Sequence, residues 1–244
     1  MHVVLADGSL PDEPQLYARE LSPAVLRAAA ALKGQRRRGY LGKRLLLALH
    51  LREQRLLCGR LELNTEPGGR PQLTGCRGEC SFSDSGCHLA CAFSRRQLGL
   101  DIERVRVRPG MEAMLSRFFS LSESRYVHAS PQPEVSFCLL WTVREAVLKT
   151  LGLGLSHIQD VRCDPEAGLV LLVGTAADRL PVPPPPCTVR SFCLGRGADT
   201  LCLSICGSGD GVRFHAYTAA GFVPLESGSP RLVLTISTAA GAQR

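Results

Sequence analysis

Asp101 and Glu103 are separated by a single residue. On a strand their carboxylates project from one face, which places two hard oxygen ligands side by side, as a magnesium ion bound to phosphate requires. Glu145 could add a third ligand from a helix, and Lys149, one turn further on, an ammonium group. Each feature also has an ordinary structural account. An Asp-x-Glu at a strand end is commonly a solvated edge, and Glu145 with Lys149 at i and i+4 is commonly a helix-surface ion pair worth about 0.2–0.5 kcal/mol. The run Arg36-Arg37-Arg38 offers a grip for a polyanion, or simply a solvated basic face. The group Cys76, Cys80, Cys87, His88 and Cys91 invites a zinc reading. Its spacings are not those of paired CxxC knuckles, and cysteines in a strand-rich segment serve equally as small buried hydrophobes.

These residues need elements to position them. Ser22 followed by Pro23 reads as a helix N-cap and first turn, ended by Gly34. A second helix is expected from about Arg36 to Gln54, with Leu41, Leu45 and Leu49 on one face and the arginines at its start. Strands and turns follow from Gly68 to Glu103, broken at Gly68-Gly69, Asp84-Ser85-Gly86 and Arg95-Arg96. Leu98, Leu100 and Ile102 alternate with Gly99, Asp101 and Glu103. Ser120-Leu121-Ser122-Glu123 is a capping box, and a longer helix is expected from near Pro133 to near Gly152, with Leu140, Val143, Val147 and Leu151 as its buried stripe. Thr142, Glu145 and Lys149 then fall on a different face. Further strands are expected at Ile158–Cys163, Leu169–Val173, Val189–Leu194 and Leu201–Cys206, with Pro181–Pro186 as extended loop. The order implies two α+β halves, 1–105 and 106–206, divided near Arg104–Gly110, and a loosely attached tail at 207–244 in which Arg231–Ile236 could add a strand.

The chain has 244 residues, 45% of them hydrophobic, enough for a packed core. No run reaches the roughly 18 apolar residues of a membrane helix; the nearest, Leu45–Leu51, is flanked by Lys43, Arg44, Arg52 and Arg55. Asp7, Asp12 and Glu13 interrupt the place of a signal peptide, so a cytoplasmic location is expected, and with it reduced thiols for the eleven cysteines. A net charge of +7 favours a polyanionic partner without choosing among nucleic acid, a phosphorylated cofactor and an acidic protein.

The sole tryptophan opens Trp141-Thr142-Val143-Arg144-Glu145-Ala146-Val147-Leu148-Lys149. This segment resembles the W-T/S-x-K/R-E-A-x-x-K signature of the phosphopantetheinyl transferases of the surfactin-synthetase-activating type. Gly99-Leu100-Asp101-Ile102-Glu103 is similar to the family's G-x-D-I-E, and Phe118-Phe119-Ser120-Leu121-Ser122-Glu123 carries FFSxxE between the two. Gly69-Arg70-Pro71 matches the family's G-K/R-P turn, and Arg38–Leu46 resembles its R-x-x-x-G-R-x-L-L helix. The resemblance covers about Arg36 to Gly154. One motif departs: F-N-x-S-H-S is here Cys80-Ser81-Phe82-Ser83-Asp84-Ser85, so Asp84 stands where a histidine ordinarily contacts a phosphate of coenzyme A.

The resemblance implies two similar α/β halves related by a pseudo-two-fold, with the active site in the cleft between them. It implies transfer of 4′-phosphopantetheine from coenzyme A to a serine of an apo acyl or peptidyl carrier protein, leaving adenosine 3′,5′-bisphosphate. Asp101, Glu103 and Glu145 would hold Mg²⁺; Glu145, or second Glu103, would act as base, and Lys149 would meet the pyrophosphate. Arg37, Arg38 and Arg70 would grip the cofactor's phosphates and Ser83 would donate to them. At the Asp84 position a bare carboxylate would repel phosphate, so it is expected to turn toward the amides of its own turn or an arginine such as Arg37 or Arg38. The expected partner is a small acidic carrier, with no nucleic acid and no membrane, and the chain is expected to be a monomer. A metal-dependent phosphodiesterase and a non-catalytic coenzyme A-binding or carrier-docking protein are the competing readings.

Overall fold

A computed structural model describes residues 1–7, 10–11, 13–64, 69–179, 187–195, 197–209 and 211–238. In chain order the elements are β1 (His2–Ala6), α1 (Pro14–Glu20), α2 (Pro23–Ala30), α3 (Gly34–Glu53), β2 (Glu62–Asn64), β3 (Gln72–Thr74), β4 (Glu79–Ser85), β5 (His88–Ser94) and β6 (Leu98–Arg104). There follow α4 (Met111–Phe118), α5 (Leu121–Ala129), α6 (Pro133–Leu151), β7 (Val161–Asp164), β8 (Leu169–Leu172), α7 (Gly174–Asp178), β9 (Thr188–Leu194), β10 (Leu201–Gly207), β11 (Arg213–Thr218), β12 (Gly221–Pro224) and β13 (Leu232–Thr238). The fold is α+β, as expected. No described helix is long and apolar enough to cross a membrane.

The chain forms two compact units, Met1–Leu98 with Asp210–Glu226, and Gly99–Gly209 with Ser227–Arg244. The division falls a few residues before the expected Arg104–Gly110. The described residues of the expected 207–244 tail are not loosely attached: they supply β11 and β12 to the first unit and β13 to the second, the last matching the strand expected at Arg231–Ile236. Polar residues interrupt the apolar alternation there, and a strand paired on its backbone needs little apolar signal to exist.

The first unit is built on a sheet ordered β12-β11-β1-β5-β4-β3-β2. β1 runs parallel to β11 and antiparallel to β5. Helix α3 covers it, burying Leu41, Leu45, Leu46 and Leu47 in a core shared with Val4, Cys80, Cys91 and Phe93. A methyl group at Gly42 would stand 2.7 Å from Leu89 Cδ1, so Leu89 of β5 packs directly against the helix backbone there. Ser22 caps α2 as expected, its hydroxyl accepting from the Val25 amide. Helix α1, begun by Pro14, has no counterpart in the sequence reading.

The second unit carries the sheet β6-β10-β9-β13-β8-β7. Helix α6 packs on β10 and β9 at its centre. The helix is buried on nearly every side, Thr142 and Arg144 included, rather than along one stripe. Gly152 ends it in the left-handed conformation, φ 69°, where a side chain would be strained. The segment Leu155–Asp160 is a 3₁₀ turn, so the strand expected from Ile158 begins only at Val161. Gly68 and Pro181–Pro186 lie outside the described residues.

Candidate active site

Strand β6 and helix α6 lie unusually close, and the reason is one residue. A Cβ on Gly99 would sit 2.0 Å from the Ala146 carbonyl oxygen and 2.6 Å from the Thr150 amide nitrogen. Both are backbone atoms, so no rotamer change relieves the clash. The approach brings Asp101, two residues along β6, against the Glu145–Lys149 turn of α6. Gly99→Ala is therefore expected to destabilise the second unit by at least about 1–3 kcal/mol and to disrupt the acidic cluster together with it. Thermal unfolding checks this; a variant with unchanged melting temperature would show that the contact is not tight.

Lys149 Nζ donates to Asp101 Oδ1 at 2.6 Å and lies 3.8 Å from Glu145 Oε2. Arg108 donates to Glu103 Oε2 at 2.7 Å. Asp101 is only 2% exposed, so it is neither a solvated edge nor an acid facing open solvent. The Glu145 carboxyl is pushed up to about 7, first by burial and next by the charge of Asp101, against the opposing pull of Lys149. Asp101 and Glu145 thus share Lys149, while Glu103 is held by Arg108, and the three carboxylates do not close on one point as His2, His50 and His215 do among the described residues. Their hard oxygen donors are of the kind that suits Mg²⁺ rather than softer metals, which favour imidazole or thiolate.

The rest of the motif residues hold this cluster in place. Thr142 and Ser204 of β10 share a hydrogen bond of 2.7 Å, continued from Ser204 to Ser191 of β9. Trp141 stacks on Phe119 and Phe137. Arg144, 0% exposed, donates to Glu123 Oε1 at 2.6 Å and lies over the Phe119 ring. Glu123 also accepts from the Cys163 amide, and its other oxygen closes the expected capping box by accepting from the Ser120 amide at 2.7 Å. The FFSxxE and WTxREA segments are therefore joined by a buried ion pair.

The phosphate-gripping candidates lie in the first unit. Arg36, Arg37 and Arg38 are exposed in the first turn of α3, which has no acidic residue there. Arg38, Gln35, Tyr17, Asp84 and Gly86 line a cavity of about 230 Å³. Arg37, Arg70 and Ser83 do not line it. Arg70 pairs with Glu79, and Ser83 is buried on β4. Asp84 does turn to a cation, but the partner is Lys43 of α3, not Arg37 or Arg38. Lys43, Arg108 and Glu123 are the residues that sequence reasoning overlooked as charge partners.

The cysteines Cys76, Cys80, Cys87 and Cys91 are not gathered about a point with His88: among the described residues they form no metal-holding group. Cys80 and Cys91 are core residues whose thiols burial pushes up, Cys80 to about 12. All eleven cysteines are free thiols.

Residues 97–179 match the family model of the 4′-phosphopantetheinyl transferase superfamily. The chain is 29% identical over 110 residues to 4′-phosphopantetheinyl transferase HetI of Nostoc sp., covering 42% of this chain and 46% of that protein. It is 27% identical over 161 residues to 4′-phosphopantetheinyl transferase Sfp of Bacillus subtilis, covering 64% and 68%. It is 33% identical over 92 residues to fatty acid synthase subunit alpha of Schizosaccharomyces pombe, covering 34% of this chain and 5% of that one. The matched stretch thus spans less than half the length of HetI and of the synthase subunit.

Proposed function

We propose that this chain, similar to Sfp and matching the 4′-phosphopantetheinyl transferase superfamily over residues 97–179, transfers 4′-phosphopantetheine from coenzyme A to a serine of an apo acyl or peptidyl carrier protein. One observation carries the reading. The Gly99 contact seats β6 on α6, with Asp101 beside the Glu145–Lys149 turn, and burial first and the charge of Asp101 next raise the Glu145 carboxyl, a cost in stability near neutral pH. A protein that merely binds coenzyme A or docks a carrier has no use for that cost.

In this reading Asp101, Glu103 and Glu145 hold Mg²⁺, which when bound neutralises charge on the diphosphate of coenzyme A. Glu145 takes the proton of the attacking serine hydroxyl, with Glu103 second in that role. Lys149 turns its ammonium from Asp101 to the pyrophosphate oxygens. Arg38, with Arg37 beside it, and the open amides at the start of α3 hold the 3′-phosphate end in the cavity that Arg38 lines. Arg70 and Ser83 are secondary contacts. Lys43 neutralises Asp84, so a phosphate at Arg38 meets no bare carboxylate. The basic surplus draws in an acidic carrier, and we propose a cytoplasmic monomer.

The test is the intact mass of apo carrier proteins after incubation with the chain, Mg²⁺ and coenzyme A. A phosphopantetheine increment is expected on at least one carrier; coenzyme A binding with no increment on any would favour the binding-protein reading.

Lys149→Ala is expected to slow transfer and weaken coenzyme A binding by roughly 10- to 100-fold, the worth of a hydrogen bond to a charged group. Isothermal titration and single-turnover assays check this. Unchanged affinity and turnover per folded molecule, with only a lower melting temperature, would reduce Lys149 to a structural partner of Asp101.

A further inference from the structure

Within the first unit, three histidines from distant parts of the chain meet: His2 at the start of β1, His50 in the last turn of α3 and His215 on β11. The strand register explains the first and third. β1 and β11 run parallel with His2 opposite Arg213 and Val4 opposite His215, so His2 and His215 share one face of the sheet, two residues apart. That is the face on which Val4 joins the core with α3, and His50 descends onto it from the helix.

One nitrogen from each ring lies within 4.8 Å of the others. His50 Nε2 is 3.3 Å from His2 Nδ1. That is about the nitrogen–nitrogen edge of a tetrahedral site with metal–nitrogen bonds of about 2.0–2.1 Å. His50 is 1% exposed. Its Nδ1 and the Nε2 of His215 are enclosed and have no hydrogen-bond partner among the described residues. Ring stacking accounts for part of the cluster, since His2 and His215 lie parallel within 6° and His50 meets Phe222 edge-on. Stacking uses the ring faces, though, and the 3.3 Å contact of His50 Nε2 with His2 Nδ1 is a hydrogen bond in the metal-free protein, which leaves the enclosed His215 Nε2 as the nitrogen that a shared ion would satisfy.

We propose that His2, His50 and His215 bind one transition-metal ion, zinc being the best match, separate from the acidic site of the second unit. The donors are all imidazole, which suits zinc, copper or nickel and not magnesium or calcium. Burial above all holds the three imidazoles below their ordinary range, joined for His2 by the N-terminal ammonium and then His215, for His50, at about 4, by the rings of His215 and His2, and for His215 by Arg213 against the opposing pull of Glu53. At pH 7 their lone pairs carry no proton that a metal must displace. The N-terminal ammonium and Arg213 oppose a dication there, but both face water, which screens them, and Glu53 acts on His215 in the opposite sense. The ion would staple β11, from the returning segment of the chain, to β1 and α3, and leave a fourth position for water.

The experiment is titration of the untagged, chelator-dialysed chain with CoCl₂ and with ZnCl₂. One equivalent of Co²⁺ should bind, with visible absorption bands but no near-ultraviolet thiolate band, and excess MgCl₂ should not displace it. Zn²⁺ should raise the melting temperature. Affinity should fall at least about 10-fold in His215→Gln and in His2→Asn, both chosen because these rings are less buried than His50. Absence of binding, equal binding by folded His215→Gln and His2→Asn, a thiolate band, or displacement by magnesium would each overturn the proposal.

Discussion

Glu145→Gln should abolish transfer and at the same time raise the melting temperature of the metal-free protein at pH 8. The two halves of this result have one cause. The folded-state carboxyl, at about 7, lies above its ordinary 4.5, because burial and Asp101 penalise its charge. A raised carboxyl contributes stability at low pH that is lost as pH rises through the folded value, here in the window from about 4.5 to about 7. Above that window the ionised group is a burden, on the order of 1–3 kcal/mol, which the neutral amide removes. Catalysis moves the other way. Removing a ligand and base that act on developing charge commonly costs about 3 kcal/mol or more of barrier, over 100-fold in rate. Asp101→Ala should share the catalytic loss without the gain in stability, because it removes the buried carboxylate to which Lys149 donates at 2.6 Å. Carrier mass spectrometry and melting curves with and without Mg²⁺ give both readings. Near-normal transfer by Glu145→Gln would remove this residue from the site, and a drop in metal-free stability at pH 8 would contradict the electrostatics.

Glu123→Ala should be the most damaging single change to the second unit. It leaves Arg144 charged, fully enclosed and without its carboxylate, strips the Cys163 amide of its acceptor and opens the capping box of α5. Breaking a buried pair from one side costs about 3–5 kcal/mol, enough to lower the melting temperature by roughly 10 °C. Replacing both partners by apolar residues, Glu123→Leu with Arg144→Met, should recover much of that loss. Molecules of Glu123→Ala that remain folded should still transfer, since neither residue belongs to the acidic cluster. An unchanged melting curve, or full stability with lost turnover, would mean that the pair acts at the reacting centre rather than as a clamp.

The acidic cluster was legible in the sequence because its members are close in number or lie in one helix. Asp101 and Glu103 alternate on a strand, while Glu145 and Lys149 are one turn apart, and the motif resemblance joined the two pairs. What the spacing did not reveal was depth. Asp-x-Glu reads the same whether the strand edge is wet or pressed onto a helix, and only the Gly99 contact with the Ala146 carbonyl decides between these. The role of Arg144 was hidden for a similar reason, since a charged residue in a helix is expected outside unless a partner 21 residues away is known to meet it. Lys43 as the partner of Asp84 depends on how α3 crosses β4, and the histidine cluster depends on a parallel pairing of β1 with β11, neither of which leaves a periodic trace. The strands of residues 211–238 were underestimated because their apolar content is modest and their support comes from backbone ladders with strands far back in the chain.

Those ladders set the order in which the molecule can assemble during synthesis. β13 lies between β9 and β8 in the interior of its sheet, and β11 is the parallel neighbour of β1. A ribosome adding about 5–20 residues per second therefore leaves both sheets open until the strands beyond residue 210 emerge. Until then β8 and β9 present unpaired edges, and β1, already paired with β5 on one side, has its other edge open to a neighbour more than 200 residues downstream. Pairings of such long range form slowly and leave apolar strands open to wrong partners meanwhile. The nascent chain thus passes its most aggregation-prone interval late, after the motif-bearing helix has been made and before the strands that complete its sheet have emerged.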